Sequence, residues 1–256
     1  PLSAISQKYI MKNRILPKRF WNNDELTEEE KAKYKNNFFQ IPGSEFIELL
    51  KENFNPLLKE AGFKGSKNNF YKKNSPWIYV LNLHKDKYGG ELTINVGVHL
   101  DFIENNLNIL PIPSKFDITD CIIDKNLKLE NGNSWLFYGR NKTEAIETID
   151  YMKELVLEQG IPFLEKFNQF PKPFNEISIE DIKKKSQRFN EFGIDEKLID
   201  WVHFIIFLTK VNLNLENKQK ALDLIIFAKE KEIERFSGTI NSPLMPRIEQ
   251  LIRDCR

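Results

Sequence analysis

The sequence predicts an α+β fold: an antiparallel β-sheet of about four to five strands flanked by helices, followed by an all-α C-terminal helical region. Three patterns carry that prediction. Between Pro76 and Leu100, apolar and polar residues alternate in two runs joined by a glycine-containing turn, as in a β-hairpin. On both sides of the hairpin, apolar residues recur at steps of three and four, the period of an amphipathic helix. Beyond Phe170, Pro171, Lys172 and Pro173 only the helical period remains. The chain therefore divides into an N-terminal extension (1–44), an α+β domain (45–170) and a C-terminal helical domain (171–256), with the proline segment as linker.

In the extension, Thr27 followed three residues later by Glu30 is a capping-box pattern and starts a short helix towards Phe38. Ile41, Pro42 and Gly43 end it. Ser44 then caps a helix whose apolar stripe is Phe46, Ile47, Leu50, Phe54, Leu57, Leu58 and Ala61. Pro56 has no amide donor and should kink or split this helix, and Gly62 can take the left-handed conformation that ends it. Asn69 to Lys72 reads as a first short strand. The hairpin strands follow. One face carries Trp77, Tyr79, Leu81 and Leu83 with Leu92, Ile94, Val96, Val98 and Leu100. The other carries Ile78, Val80, Asn82 and His84 with Thr93, Asn95, Gly97 and His99. A turn at Asp86 to Gly89 sets Leu83 opposite Leu92, Leu81 opposite Ile94, Tyr79 opposite Val96 and Trp77 opposite Val98.

Residues 101–119, with Asn105, Asn106, Pro111 and Pro113, read as loop. Cys121 to Ile123 and Asn126 to Leu129 predict a further strand, and Ser134 to Tyr138 the last one. A helix from Thr143 to Glu158 buries Ile146, Ile149, Met152, Leu155 and Val156. Gly160 and Pro162 break it before a short helical piece at Phe163 to Phe167. The C-terminal region predicts helices over Ile179 to Phe192, Asp195 to Lys210 and Glu216 to Phe236. A last helix follows Ser242 and Pro243, a favoured N-cap and first-residue pair. The helix ending at Lys210 is apolar nearly all round and should be buried.

Composition narrows function. A chain of 256 residues, 41% hydrophobic, can bury a real core, and its twenty phenylalanines should dominate it. A net charge of +1 argues against a nucleic-acid or membrane field over the whole molecule. One local cluster, Lys8, Lys12, Arg14, Lys18 and Arg19, is interleaved with Tyr9, Phe20 and Trp21 and is a candidate single-stranded nucleic-acid site. Two cysteines imply no disulfide framework and fit a reducing cytoplasm. No apolar run has signal-peptide or membrane-spanning length, so a cytoplasmic protein without a membrane partner is expected.

Catalytic and metal motifs do not emerge. HExxH, CxxC, GxSxG, a P-loop and a dinucleotide fingerprint do not occur. His84 and His99 share one sheet face, but about seven residues separate them along the strands. At roughly 3.3 Å per residue, that exceeds the reach of one ion. No metal, cofactor or catalytic set is therefore expected. His203 reads as a hydrogen-bonded core histidine and Cys121 as a small buried hydrophobe. The face carrying Asn82, His84, Thr93, Asn95 and His99 is the candidate binding surface.

The chain also resembles a known family, domain of unknown function 4304. The residues that carry the resemblance are Ala61-Gly62-Phe63, Asn69-Phe70-Tyr71, Val80 to Leu83, Tyr88-Gly89-Gly90, Thr93 to Val98, Asp120-Cys121, Trp135 and Gly160-Ile161-Pro162, within about residues 45–167. Asp124 and Asn126 stand where many members carry arginines, so no role of those arginines carries over. The resemblance implies a small bacterial cytoplasmic α+β protein without an agreed catalytic residue, associated in some cases with toxin–immunity systems. The expected function is thus non-enzymatic protein binding, immunity-like, neutralising a toxin or effector. Two alternatives stand beside it: a nucleic-acid factor of a defence system using the basic arm, and an enzyme with its site on the sheet face.

Overall fold

The computed structural model describes residues 41–87, 89–105, 108–184, 189, 200–236 and 242–256. The basic arm, the helix predicted from Thr27, half of the helix expected at Ile179 to Phe192 and the expected helix start at Asp195 lie outside the described residues.

The first apolar stripe forms two helices, α1 (Gly43–Asn53) and α2 (Asn55–Glu60), which bury Phe46, Leu49, Leu50, Phe54, Leu57 and Leu58. The split falls at Phe54, two residues before Pro56, because the ring has no N–H to continue the ladder. Ser44 does not cap α1. The helix starts at Gly43, and the Pro42 carbonyl takes the first bond, from Phe46 N–H at 3.1 Å. Gly62 ends α2 with φ at 85°, as its missing Cβ allows.

Six strands form one antiparallel sheet: β1 (Lys64–Ser66), β2 (Asn69–Asn74), β3 (Trp77–Lys85), β4 (Glu91–Leu100), β5 (Ile123–Asn126) and β6 (Leu136–Phe137). Their order is β1-β2-β3-β4-β5, and β6 also pairs with β4. β1 is fully exposed and carries no apolar alternation, so no pattern announced it. β6 is shorter than Ser134 to Tyr138 suggested. The Asn133 side chain captures the N–H groups of Ser134 and Trp135 in a turn before the ladder begins.

The hairpin register is displaced by two residues from the sequence expectation. Leu83 faces Ile94, Leu81 faces Val96, Tyr79 faces Val98 and Trp77 faces Leu100. The cause is the turn. Asp86 N–H donates to the Glu91 carbonyl and Gly89 N–H to the Asp86 carbonyl, both at 3.0 Å, so β3 runs on to Lys85 opposite Leu92. A two-residue slip keeps every side chain on its face, so the apolar pattern does not distinguish the two registers.

The Trp77 face packs against the helical layers. There, α3 (Lys142–Leu155) passes through a wide π-turn at Val156–Gly160 into α4 (Ile161–Glu165), instead of breaking at Gly160. Pro162 is tolerated because it lies in the first turn of α4, where no intrahelical amide is needed. A Cβ on Gly160 would come within 3.4 Å of Leu127 and Val96, so the missing side chain lets this turn lie close to the sheet.

The remaining helices among the described residues are α5 (Ile179–Lys184), α6 (Trp201–Asn214), α7 (Lys218–Arg235) and α8 (Met245–Cys255). α6 is buried on most sides, as its composition requires, and Asp200 caps it by accepting from His203 N–H at 3.4 Å. α8 begins at Met245 and not at Pro243. Ser242 Oγ accepts from Leu244 N–H in the preceding turn. The proline segment 170–173 is packed rather than free. The Phe170 ring lies 6.3 Å from Trp77 and 5.8 Å from Phe102. Phe174 then touches Trp77, Phe167, Phe204 and Phe207, so the core runs without interruption from the sheet into α6. No helix among the described residues is long and apolar enough to cross a membrane.

Candidate functional site

The second sheet face carries too few apolar residues for a large core. Ile78 and Val80 are covered by a smaller cluster of Phe116 and Cys121, with Ile118 packed beside it. The connection between β4 and β5 therefore folds back over the sheet. Two short 3₁₀ turns, Pro113–Lys115 and Ile118–Asp120, shape it. Asp117 and Asp120 cap the second turn reciprocally, and Asp120 Oδ2 accepts from Asp117 N–H at 2.9 Å. Gly97 is the point of closest approach. A Cβ there would stand 2.7 Å from Cys121 Sγ and 2.8 Å from Ile118 Cδ1. Burial pushes the Cys121 thiol up, and the neighbouring aspartates push it further, so it packs as a protonated hydrophobe.

This loop changes the status of the five sheet-face candidates. Asn82, Thr93 and His99 are buried, with exposures of 6%, 3% and 2%. Asn95 is half-buried, and only His84 is exposed. The five residues do not form one open binding face, because the chain's own loop covers part of it. By register, Asn69, Asn82, Asn95 and Asn126 stand in one row from β2 to β5. Much of the row's capacity is used internally. Asn126 donates to Asn95 at 2.9 Å, and Asn69 donates to the Phe116 carbonyl at 2.9 Å. His84 and His99 are not brought together. His84 faces Thr93 and sits near the Trp135 ring, while His99 faces Ile78. Among the described residues, no group of three or more His, Cys, Asp or Glu side chains is placed to hold a metal.

His99 has the most unusual environment. Its ring lies 5.1 Å from Phe116 and 5.6 Å from Phe207 of α6. Nε2 bonds to the Ile103 carbonyl at 3.0 Å, and since a carbonyl only accepts, Nε2 carries the proton and Nδ1 is a bare acceptor. Burial lowers the His99 pKa to about 4. The Ile103 bond and Asp120 oppose that shift, while Lys210 and Arg247 reinforce it. The ring is neutral at pH 7.

Beside it is a cavity of about 10 Å³, lined by His99, Glu104, Asp120, His203, Phe207 and Arg247 together with three isoleucines. That volume holds about one water. Glu104 is ion-paired to Lys210 of α6. Burial raises the Glu104 pKa, but the Lys210 hydrogen bond and the charges of Lys210 and Arg247 outweigh it and leave the carboxyl below its usual range. His203 lies in α6 at the cavity wall rather than in the deep core, with Nδ1 3.1 Å from Asp200 Oδ2.

The loop that covers the sheet also exposes what the sequence reading passed over. Ile109, Leu110 and Ile112 are 55%, 56% and 52% exposed. Their loop is braced at its base by Asn105. The Asn105 and Ile109 main chains bond at 3.0 Å, Asn105 Oδ1 accepts from Ile109 N–H at 3.0 Å, and Asn105 Nδ2 donates to Asp120 Oδ1 at 2.7 Å. The signal was present as apolar residues interleaved with Pro111 and Pro113. Prolines lack the donors needed to join a ladder, so this apolar run stays out of the sheet. Lys8, Lys12, Arg14, Lys18 and Arg19 lie outside the described residues.

No curated protein and no solved structure matches the chain. A family model matches residues 54–166, which take in the sheet, the covering loop and helices α2 to α4, but neither α1 nor α5 to α8. That model is described as domain of unknown function (DUF4304), and the match supports the resemblance over this segment.

Proposed function

We propose that this chain acts by binding another protein through the apolar loop at 108–113, and not by turning over a substrate. The exposure of Ile109, Leu110 and Ile112 on a braced loop supports this reading most directly. Single exposed apolar side chains are ordinary, but three within four positions on a loop hydrogen-bonded at its base form a patch of the kind used for docking. A loop already held in shape loses little conformational entropy on binding, and a few apolar anchors then carry most of the affinity. In its immunity-like form, the partner is a toxin or effector domain with an apolar recess. The family resemblance supports that form, and the two free, buried cysteines fit a cytoplasmic setting.

Co-elution with the purified product of the adjacent gene tests the proposal. A stable complex is expected, and it should be lost for the Leu110→Asp/Ile112→Asp variant. Separate elution of the wild-type chain, or a complex unaffected by the variant, would refute it.

A further inference from the structure

The cavity beside His99 closes the junction between the segment 54–166 and the C-terminal helices. His99, Glu104 and Asp120 line it from one side, and His203 and Phe207 of α6 with Arg247 of α8 from the other. Two of these side chains each keep one buried polar atom without a hydrogen-bond partner among the described residues: His99 Nδ1 and Arg247 Nε. A third such atom, His203 Nδ1, has Asp200 Oδ2 within 3.1 Å and so has a partner at hand.

The two remaining atoms are of opposite kind. His99 Nδ1 is an acceptor, because Nε2 carries the proton that binds the Ile103 carbonyl. Arg247 Nε is a donor and cannot be anything else. A cation in the cavity would serve His99 and the Glu104 and Asp120 carboxylates, but it would leave the Arg247 Nε–H without an acceptor. An anion would serve Arg247 and face the bare His99 nitrogen and the Glu104 carboxylate. An apolar group would leave both atoms unsatisfied. A neutral hydroxyl both donates and accepts, and the volume of about 10 Å³ admits one the size of water.

We infer that this cavity is a binding site for one ordered water, which accepts from Arg247 Nε–H and donates to His99 Nδ1. The water ties α8 to the end of β4. It also lies against Asp120, which holds Asn105, and Glu104, which holds Lys210, so it belongs to the bracing of the loop base.

The test is water-selective NOE and ROE spectroscopy on the isotope-labelled 256-residue chain at pH 7. Cross-peaks from long-lived water to Arg247 Hε and His99 Hε1 are expected, with the His99 Nδ1 resonance displaced as for a nitrogen that accepts a hydrogen bond. Absence of both cross-peaks, or a proton on Nδ1, would overturn the assignment, and the wild-type spectrum alone decides this. In Arg247→Leu, the His99 cross-peak should disappear while amide resonances distant from α8 stay in place. Its persistence there would overturn the bridge.

Discussion

His99 couples burial to pH through the cost of charging a buried ring. Unfolded, its ring has a pKa of about 6.5; folded, burial holds it at about 4. Between those values the unfolded chain binds a proton that the folded chain does not, so stability rises with pH across that window. The contribution is complete above pH 6.5 and is lost as pH falls towards 4, amounting to roughly 3 kcal/mol. Urea titrations at pH 7 and pH 4.5 should show this loss, and His99→Gln should flatten the difference. Equal dependence in wild type and variant would show that another group titrates. At this scale the sequence was informative about faces but not about neighbours. Alternation put His99 on the second face, and the strand spacing separated it from His84. Nothing local announced Phe207 or Arg247, which approach from more than a hundred residues away.

The loop between β4 and β5 combines two roles that respond differently to substitution. Asn105 satisfies the Ile109 N–H and Asp120. Asn105→Ala should leave them without those bonds and cost about 1–3 kcal/mol in chemical denaturation. Leu110 is more than half exposed, so Leu110→Asp should change stability by no more than about 0.5 kcal/mol. Similar losses for the two would mean that Leu110 is packed. Elements with strong periodicity were legible: α1 and α2 with the break before Pro56, both hairpin strands, α3 and α6. Elements set by a single turn were not. The hairpin register followed from bonds between Asp86, Gly89 and Glu91, and the short β6 from the Asn133 side chain. The π-turn before α4 let the helix pass a Gly and a Pro that read as a break.

Over the whole molecule, the question is whether the C-terminal helices are separable. Pro171 and Pro173 marked a linker, but Phe170 and Phe174 on either side of them decide the packing, and both rings contact Trp77. Phe174→Ala should cost about 3–5 kcal/mol. It should lower the midpoint of one shared transition, followed by tryptophan fluorescence and far-UV circular dichroism. Two separate transitions in the wild type would show that sheet and helices unfold independently. The candidate site was only partly legible at this scale. The sequence identified the polar sheet face, but the covering loop closes much of it, and the same fold presents Ile109, Leu110 and Ile112 instead. Protein binding through that loop is therefore the central claim, and calorimetric titration of the adjacent gene's product tests it most directly. Leu110→Asp should weaken binding by at least about 30-fold, the loss expected for a hot-spot residue. Phe137→Asp, at the exposed residue of β6 at the other end of β4, should leave affinity within about threefold. Equal affinities for wild type and Leu110→Asp, or a larger loss for Phe137→Asp, would contradict it.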